Sequence, residues 1–322
     1  MMDNTPVHWN DTKTNNQRHH YLLPSPSCRA LIIGESGCGK TSLMLKMLLT
    51  SKWLDYNNLY VFSKSLHQPE YKLLKSGLYK GYSKYEILDL IKNGKGNIDL
   101  FISELSNKCK PKCKVEYFED SESIPDPSEV NIRNKNIFIF DDIMTNPNQN
   151  KAEDFYTRGR HNNVSSIYMS QNYSKLPRQT IRTNANVLIL FSLPKKDLQH
   201  IHDDYISRDM EWQECQEFCN SAWREQHGYV VINKDLSPAE GRYQIGFNRV
   251  YIKKKTFFSV KEMITYCTRC RKMTDTKHLM KAVEPEKTRV LGTCIQCGQI
   301  KTQSIFYNRN SIQTKTIGGG KT

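Results

Sequence analysis

Short apolar runs alternate with helix-like stretches through residues 28–191. The apolar runs have the length of buried strands, and polar or Gly-containing segments bound them. They lie at 30–33, 59–62, 137–140, 167–169 and 187–191, and a helical run at 42–49 follows the first of them. Strands that alternate with helices predict an α/β fold in which helices cover both faces of a mostly parallel sheet. Two weaker β-like stretches follow at 229–232 and 245–251.

The same pattern divides the chain into an arm, a large domain, a small module and a tail. Residues 1–24 are polar and end near two prolines, which predicts a disordered or loosely docked arm, with order beginning near Cys28. The large α/β domain spans 25–255 and carries a Lys-rich, then acidic insertion at about 75–130. The small module spans 256–308, and a Gly-ending tail at 309–322 is expected to be flexible.

The charge balance points to a polyanionic partner. Lys and Arg number 47 against 33 Asp and Glu, and the formal net charge is +14 at pH 7. Nucleic acid is favoured over an acidic protein because Lys and Arg release counterions when they neutralise phosphates. No apolar run approaches the roughly 18 to 20 residues of a membrane span, and the N-terminus lacks the apolar core of a signal peptide. We therefore expect a protein that works in a reducing, intracellular compartment.

A phosphate-binding loop is predicted at 34–41. The segment reads Gly-x-x-x-x-Gly-Lys-Thr directly after an apolar strand and directly before a helix, so its backbone N–H groups and the helix dipole can face phosphate oxygens. Lys40 would bridge the β- and γ-phosphates, and the Thr41 hydroxyl would bind Mg²⁺. The alternative is a Gly-rich turn. The predicted nucleotide-binding residues are Gly34, Glu35, Ser36, Gly37, Cys38, Gly39, Lys40, Thr41 and Ser42.

Two acids end the strand at 137–140. Asp141 would bind Mg²⁺ through water, and Asp142 would orient or deprotonate the attacking water. Adjacent acids after a buried strand are costly without a cation, which favours this interpretation over a plain surface turn. Asp142 is shorter than the commoner Glu, so its role as a base is less secure than the metal role of Asp141.

Guanine specificity is weighed at Asn233-Lys234-Asp235, which is similar to the guanine-reading N-K-x-D. The Asp falls one residue early, and no D-x-x-G follows the strand at 137–140, so ATP is favoured.

A further strand at 167–169 ends near Gln171. If this strand is inserted between the two strands that carry the nucleotide motifs, Gln171 lies near the γ-phosphate and can sense it. An amide that only satisfies the strand end is the structural alternative.

These motifs together resemble the FtsK and HerA superfamily of DNA-pumping ATPases, and most of all the poxvirus-type packaging ATPases of large DNA viruses and virus-like transposons. The resemblance covers 28–252 without the insertion. It rests on GESGCGKT at 34–41, FDD at 140–142, GRHN at 159–162, SQ at 170–171 and IRTNAN at 181–186.

The resemblance implies a homo-oligomeric ring, a hexamer or pentamer, that uses ATP and Mg²⁺ to drive double-stranded DNA into a preformed capsid. It also implies an arginine supplied to the neighbouring subunit's site, for which Arg160 is the first candidate and Arg182 the second. Either arginine could instead form a structural ion pair. His161 is expected to pack or to lie at an interface.

The small module carries two Cys-x-x-Cys pairs with 23 intervening residues, the spacing of a zinc ribbon. A pair of redox dithiols is the alternative. The module has too little core to fold alone, so Zn²⁺ should supply its folding free energy. Its basic side chains could contact DNA or could simply be solvated. The predicted zinc ligands are Cys267, Cys270, Cys294 and Cys297.

Four other cysteines, Cys109, Cys113, Cys215 and Cys219, could form a second zinc site if the insertion folds back. The pair at 215 and 219 has helical spacing and is more simply explained by packing.

The leading functional hypothesis is a genome-packaging ATPase that binds double-stranded DNA and a capsid vertex or other virion proteins. A DNA translocase or helicase of the same superfamily is the first alternative. A zinc-dependent nucleic-acid-binding protein that uses ATP as a switch is the second.

Overall fold

The computed structural model describes residues 19–251 and 263–306, apart from short gaps at 21–22, 26, 52, 94–96, 111–112, 144–148, 248, 268, 284–286 and 295. The predicted tail at 309–322 and the predicted boundary between the large domain and the small module at 255/256 lie outside the described residues. Among the described residues, no helix has the length and apolar character needed to cross a membrane.

The helices are α1 (Lys40–Leu49), α2 (Pro69–Tyr79), α3 (Lys84–Asn93), α4 (Ile98–Glu104), α5 (Asn150–Thr157), α6 (Lys195–Ile201) and α7 (Trp212–Trp223). The strands are β1 (Arg29–Ile33), β2 (Asn58–Ser63), β3 (Lys114–Phe118), β4 (Asn136–Asp141), β5 (Val164–Ser170), β6 (Val187–Leu190), β7 (Val230–Asn233), β8 (Tyr243–Ile245), β9 (Arg249–Val250), β10 (Met263–Cys267), β11 (Lys272–Val283), β12 (Lys287–Cys294) and β13 (Ile300–Phe306). Short 3₁₀ turns occur at Pro127–Glu129, Gly159–Asn162 and Pro238–Glu240, and π-helical turns at Arg178–Arg182 and His202–Ile206.

Nine strands form one mixed sheet in the order β3-β2-β4-β5-β1-β6-β7-β8-β9. The six strands from β3 to β6 in this order are parallel, and β7, β8 and β9 continue the sheet antiparallel. The carboxyl ends of the six parallel strands therefore meet at one edge, which we name the C-terminal edge. The predicted mostly parallel α/β fold is confirmed.

Helices cover both faces of this sheet, which explains its unbroken apolar strands. In β1, Leu31 and Ile33 belong to one buried cluster and Ala30 and Ile32 to the other. Successive strand residues point to opposite faces, so each cluster lies on one face. Helices α1 and α2 contribute to the cluster around Ile32, whereas α5 and α7 contribute to the cluster around Leu31.

The predicted insertion at about 75–130 is folded onto the sheet. It contains the end of α2, then α3, α4 and β3, and β3 extends the sheet by pairing in parallel with β2. The hydrophobic pattern of the insertion is weak because α3 buries only Ile87 and α4 buries no residue.

The second zinc site is not formed. Cys215 and Cys219 are fully buried in α7, in the cluster around Leu31. Cys113 packs against the cluster on the other face, and Cys109 is exposed. The sheet therefore separates Cys113 from the α7 pair. Within the described ranges, the C-terminal four are the only cysteines grouped closely enough for a metal.

Order begins earlier than the sequence predicts. Leu23 is only 3% exposed and packs in the core, and His19 is buried as well. His19 Nε2 lies 2.9 Å from Ser165 Oγ, and the Asp55 N–H donates to His19 Nδ1 at 3.1 Å. The end of the arm is therefore docked on the domain, and residues 1–18 lie outside the described part.

The C-terminal module is a separate antiparallel sheet in the order β10-β11-β12-β13. Each Cys pair begins at the last residue of a strand, Cys267 in β10 and Cys294 in β12. Because β10 and β12 both flank β11, the two pairs come to the same end of this small sheet.

Candidate functional site

The loop between β1 and α1 has the conformation that a phosphate-binding loop requires. Gly39 caps α1 with φ of 107°, a left-handed conformation that glycine adopts without strain. A Cβ at Gly34 would lie 2.6 Å from the Cβ of Phe191, which the packing does not allow. The loop therefore delivers the chain to the α1 N-terminus, where backbone N–H groups are free for an anion.

Lys40, in the first turn of α1, lies against this loop. Its Nζ donates to the carbonyl oxygens of Gly34 and Glu35 at 2.7 and 2.8 Å. Burial raises the pKa of the neighbouring Cys38 thiol, which favours its neutral form.

An open cavity of about 300 Å³ lies in front of the loop at the C-terminal edge of the sheet. It brings together most of the predicted site residues. Gly34, Glu35 and Cys38 belong to the loop but do not line the cavity. The lining residues are Ser36, Gly37, Gly39, Lys40, Thr41, Ser42, Ser65, Gln68, Glu70, Asp141, Asp142, Met169, Ser170 and Gln171.

Asp141 is held at the end of β4 by two hydroxyl groups. Tyr71 Oη donates to Asp141 Oδ2 at 2.5 Å, and Ser63 Oγ donates to the same oxygen at 3.4 Å. Burial raises the pKa of Asp141, whereas the Tyr71 hydrogen bond acts in the opposite direction by stabilising the carboxylate. The carboxylate is thus buried, oriented and directed at the cavity.

The next residue, Asp142, is exposed and has φ of 51°. A left-handed conformation costs a non-Gly residue roughly 1–2 kcal/mol, although Asp tolerates it better than most. Such strain is often found at functional sites. The turn places the two acids differently: Asp141 stays in the sheet, and Asp142 faces the open cavity.

Gln171 directly follows β5 and lies in the same cavity. Strand β5 pairs with β1 on one side and with β4 on the other. This is the inserted-strand arrangement that the sequence predicts, and it explains why Gln171 lies between the phosphate-binding loop and the two acids.

Sequence reasoning missed the residues contributed by the β2–α2 connection, Ser65 and Gln68, and by the first turn of α2, Glu70. Strand β2 neighbours β4, with Ser63 in register with Asp141, so its carboxyl end reaches the same edge. The sequence does contain a signal for them. Ligands bind outside the carboxyl ends of parallel strands, so the residues after the predicted strand at 59–62 are expected near the site. Glu70 is a third carboxylate in the cavity.

The two candidate arginines lie elsewhere. Arg182 is 12% exposed, forms an ion pair with Asp204 at 3.3 Å and lies over the ring of Tyr173. Those contacts agree with the alternative that Arg182 forms a structural ion pair. Arg160 is exposed, and its Nε donates to Nε2 of His161 at 3.3 Å.

Arg160 precedes β5, so it lies at the edge of the sheet opposite the phosphate-binding loop of its own chain. Burial lowers the pKa of Arg29, and the nearby charge of Arg160 lowers it further. Because Arg29 begins β1, this proximity agrees with the location of Arg160 at the amino ends of the strands. Strand β5 has seven residues, which places roughly 20 Å between its ends.

The Asn233-Lys234-Asp235 segment also lies at that opposite edge. Strand β7 runs antiparallel to β6, with Asn233 in register with Val187 at the beginning of β6. Asn186 Nδ2 donates to Asp235 Oδ2 at 3.0 Å, and burial lowers the pKa of Lys234 to about 8. This segment cannot read a base bound at the loop, so the structure gives no support to guanine specificity.

The C-terminal cysteines form a compact cluster with all four sulfur atoms within 4.8 Å of one another. Sγ of Cys267 lies 3.5 Å from that of Cys297, and Sγ of Cys270 lies 3.8 Å from that of Cys294. A tetrahedron with Zn–S bonds of about 2.3 Å places its sulfurs about 3.8 Å apart. The donor set and spacing therefore fit Zn²⁺.

The oxygen donors of the cavity fit Mg²⁺ as well. The Thr41 hydroxyl and the Asp141 carboxylate are hard ligands of the kind that Mg²⁺ prefers. Both hydrogen bonds of Asp141 end on Oδ2, so Oδ1 takes neither of them.

Comparison with protein families gives one match: a family model described as "Poxvirus A32 protein" matches residues 17–213. That segment contains the phosphate-binding loop, both acids and Gln171. Comparison with curated proteins gives no significant match.

Among solved structures, the matches include a genome packaging NTPase, B204, of Sulfolobus turreted icosahedral virus 2 in complex with ATP-gammaS. It is 13% identical, covers 66% of this chain and 94% of its own, and has a TM-score of 0.39. The DNA-packaging ATPase B204 of Sulfolobus turreted icosahedral virus is 15% identical, with coverage of 64% and 92% and a TM-score of 0.36. VirB4 of Thermoanaerobacter pseudethanolicus is 11% identical, with coverage of 64% and 86% and a TM-score of 0.36. These values are too low to transfer a function from those proteins.

Proposed function

The chain belongs to the Poxvirus A32 protein family, and on that premise we propose that it is an ATP-hydrolysing motor that moves viral double-stranded DNA into a preformed capsid. The observation that carries the proposal is that Lys40, Asp142 and Gln171, which follow three different strands, line one cavity at the C-terminal edge. All three lie in the segment that the family model matches. A plain Gly-rich turn would not require two acids and an amide at the same cavity.

The chain's own residues divide the chemistry among them. The α1 N-terminus and Lys40 hold the phosphates, and Thr41 and Asp141 hold Mg²⁺. When bound, the metal ion neutralises charge on the phosphate oxygens. Asp142 orients the attacking water and accepts its proton, and Gln171 contacts the transferred phosphate and fixes the position of that water.

Arg160 is our candidate for the arginine that acts on the neighbouring subunit's nucleotide. It is exposed, and it lies too far from its own phosphate-binding loop to act there. Arg182 is the weaker candidate because its guanidinium is buried against Asp204 and Tyr173. This assignment requires a homo-oligomeric ring in which one subunit's β5 start faces the next subunit's cavity.

DNA and virion proteins are the proposed macromolecular partners. A formal net charge of +14 supports attraction to the phosphate backbone. The motor would act inside the infected cell, at the site of virion assembly and at a capsid vertex.

The four C-terminal cysteines bind Zn²⁺ in this proposal, and the metal ion supplies the folding free energy of the small ribbon. Arg269 and Arg271 are exposed beside the first Cys pair and are available to a nucleic acid or a protein.

The test is steady-state ATP hydrolysis by the zinc-loaded chain with and without linear duplex DNA. Lys40→Ala should abolish turnover, whereas Lys196→Ala, which removes an exposed lysine outside the cavity, should leave it unchanged. Duplex DNA should raise the wild-type rate. Nucleotide binding without turnover, together with DNA binding that survives Lys40→Ala, would favour the ATP-switch alternative and reject the motor.

A further inference from the structure

We propose that Tyr71 is a positioning residue for Asp141, and that the folded insertion holds Tyr71 in place through Tyr117. The inference rests on the proposed function, because it assigns a role in metal-dependent nucleotide binding at the same cavity.

The contact between Tyr71 and Asp141 joins two elements that are 70 residues apart in the chain. Tyr71 lies in the first turn of α2 and has no exposed surface. Its hydroxyl donates to Asp141 Oδ2 at 2.5 Å, and Ser63 adds a weaker bond at 3.4 Å to that oxygen. Two donors on one oxygen fix the rotation of the carboxylate and leave Oδ1 for water bound to the metal.

The chemistry of both groups favours this arrangement. A buried tyrosine needs a partner for its hydroxyl, and a bond to a carboxylate is stronger than one to a neutral acceptor. A carboxylate oxygen can only accept, so the Tyr71 hydroxyl is the donor of this bond. For Asp141, which is 7% exposed, the hydrogen bond partly replaces lost water.

A second link connects Tyr71 to the insertion. Tyr117, in the edge strand β3, donates its hydroxyl to the backbone oxygen of Tyr71 at 2.8 Å, and the two rings meet edge to face. The ammonium group of Lys75 lies over the Tyr117 ring at 4.9 Å. The insertion thus supports the first turn of α2, and through Tyr71 it reaches the metal-binding acid.

Tyr71→Phe in the full chain tests the proposal by removing one oxygen atom. The binding of a fluorescent ATP analogue is measured with Mg²⁺ and with EDTA, and Mn²⁺ binding is measured by electron paramagnetic resonance in the presence of ATP. We expect nucleotide binding in EDTA to stay within about twofold of wild type and metal affinity to fall roughly 10-fold or more, as for other residues that orient metal ligands. Tyr117→Phe should shift metal affinity in the same direction by roughly two- to tenfold.

Tyr156→Phe is the matched control. Tyr156 is also fully buried, and its hydroxyl donates to the backbone oxygen of Ala30 at 2.5 Å, in the core behind the cavity. It should lower the melting temperature without changing metal affinity.

Equal metal affinity in wild type, Tyr71→Phe and Tyr156→Phe would overturn the proposal and leave Tyr71 a packing residue. If Tyr71→Phe does not fold, Tyr117→Phe decides: a loss of metal affinity supports the link, and wild-type affinity rejects it. A wild-type chain that binds metal and nucleotide but does not hydrolyse ATP would contradict the proposed motor. It would leave the role of Tyr71 unaffected, because that role is measured by metal binding and not by hydrolysis.

Discussion

Gly298→Ala is expected to weaken zinc binding by the cost of one left-handed backbone conformation. Gly298 follows the second Cys pair with φ of 72° and donates its N–H to the carbonyl oxygen of Cys294 at 2.9 Å. No atom lies within 4 Å of the position that a Cβ would take, so the substitution introduces no clash. The remaining cost is the left-handed conformation itself, roughly 1–2 kcal/mol.

The first Cys pair offers the complementary change. Arg271 stands at the equivalent position, directly after Cys270, and also has a positive φ, 53°. Arg271→Gly should relieve that strain. Glycine also costs about 0.5–1 kcal/mol of stability, because it gives the unfolded chain more conformational freedom. The net effect should be a gain of between zero and about 1.5 kcal/mol.

Zinc affinity is the appropriate measurement, because folding of such a module and metal binding are coupled. Competition with a chromophoric chelator should show a roughly 5- to 30-fold loss for Gly298→Ala, which corresponds to 1–2 kcal/mol. Arg271→Gly should bind zinc as tightly as wild type or slightly more tightly. Wild-type affinity in Gly298→Ala would refute the reasoning, because the backbone conformation would then not be a requirement of the site.

Three further predictions concern the large domain. Leu23→Ala should lower the free energy of unfolding by about 2–5 kcal/mol, because the side chain is 3% exposed, and denaturant unfolding should detect this; a loosely docked arm would give no change. Arg182→Ala should lower the free energy of unfolding by about 1–3 kcal/mol in the same measurement, because it leaves the Asp204 carboxylate, which is only 14% exposed, with fewer partners. Unchanged stability would restore Arg182 as a candidate for catalysis across the interface. Asp142→Asn should reduce the ATPase turnover number roughly 100-fold or more, and Asn also tolerates the positive φ of this position. Glu70→Gln should reduce the turnover number less. The reverse order would make Glu70 the base.

The parts of the fold that the sequence predicts correctly are those whose signal is local. The strands at 30–33, 137–140 and 187–191 are buried on both faces and therefore read as unbroken apolar runs. The strand, loop and helix around residues 34–41 are also predicted from a local signal, because the glycines, the lysine and the flanking elements are contiguous. The family resemblance built on these segments is confirmed by the family match.

Features that depend on contacts between distant segments were missed. Nothing in the local pattern around Tyr71 shows that its hydroxyl meets Asp141, because α2 is an ordinary amphipathic helix. The arm has a polar composition that predicts disorder or loose docking, and it does not show that His19 contacts Ser165 and the Asp55 backbone. A hydropathy pattern treats a polar residue as exposed, because it contains no information about hydrogen-bond partners from distant parts of the chain.

The position of β5 constrains how any ring could be built. Gln171 stands at its carboxyl end in the cavity, and Arg160 precedes its amino end, roughly 20 Å away. A two-fold dimer would bring identical surfaces together, whereas a head-to-tail ring brings one edge of a subunit to the opposite edge of its neighbour. Arg160 cannot reach the cavity of its own chain, so a role at a nucleotide requires a neighbouring subunit, and a head-to-tail ring supplies one. The separation of these two residues along one strand therefore fits the ring proposed above.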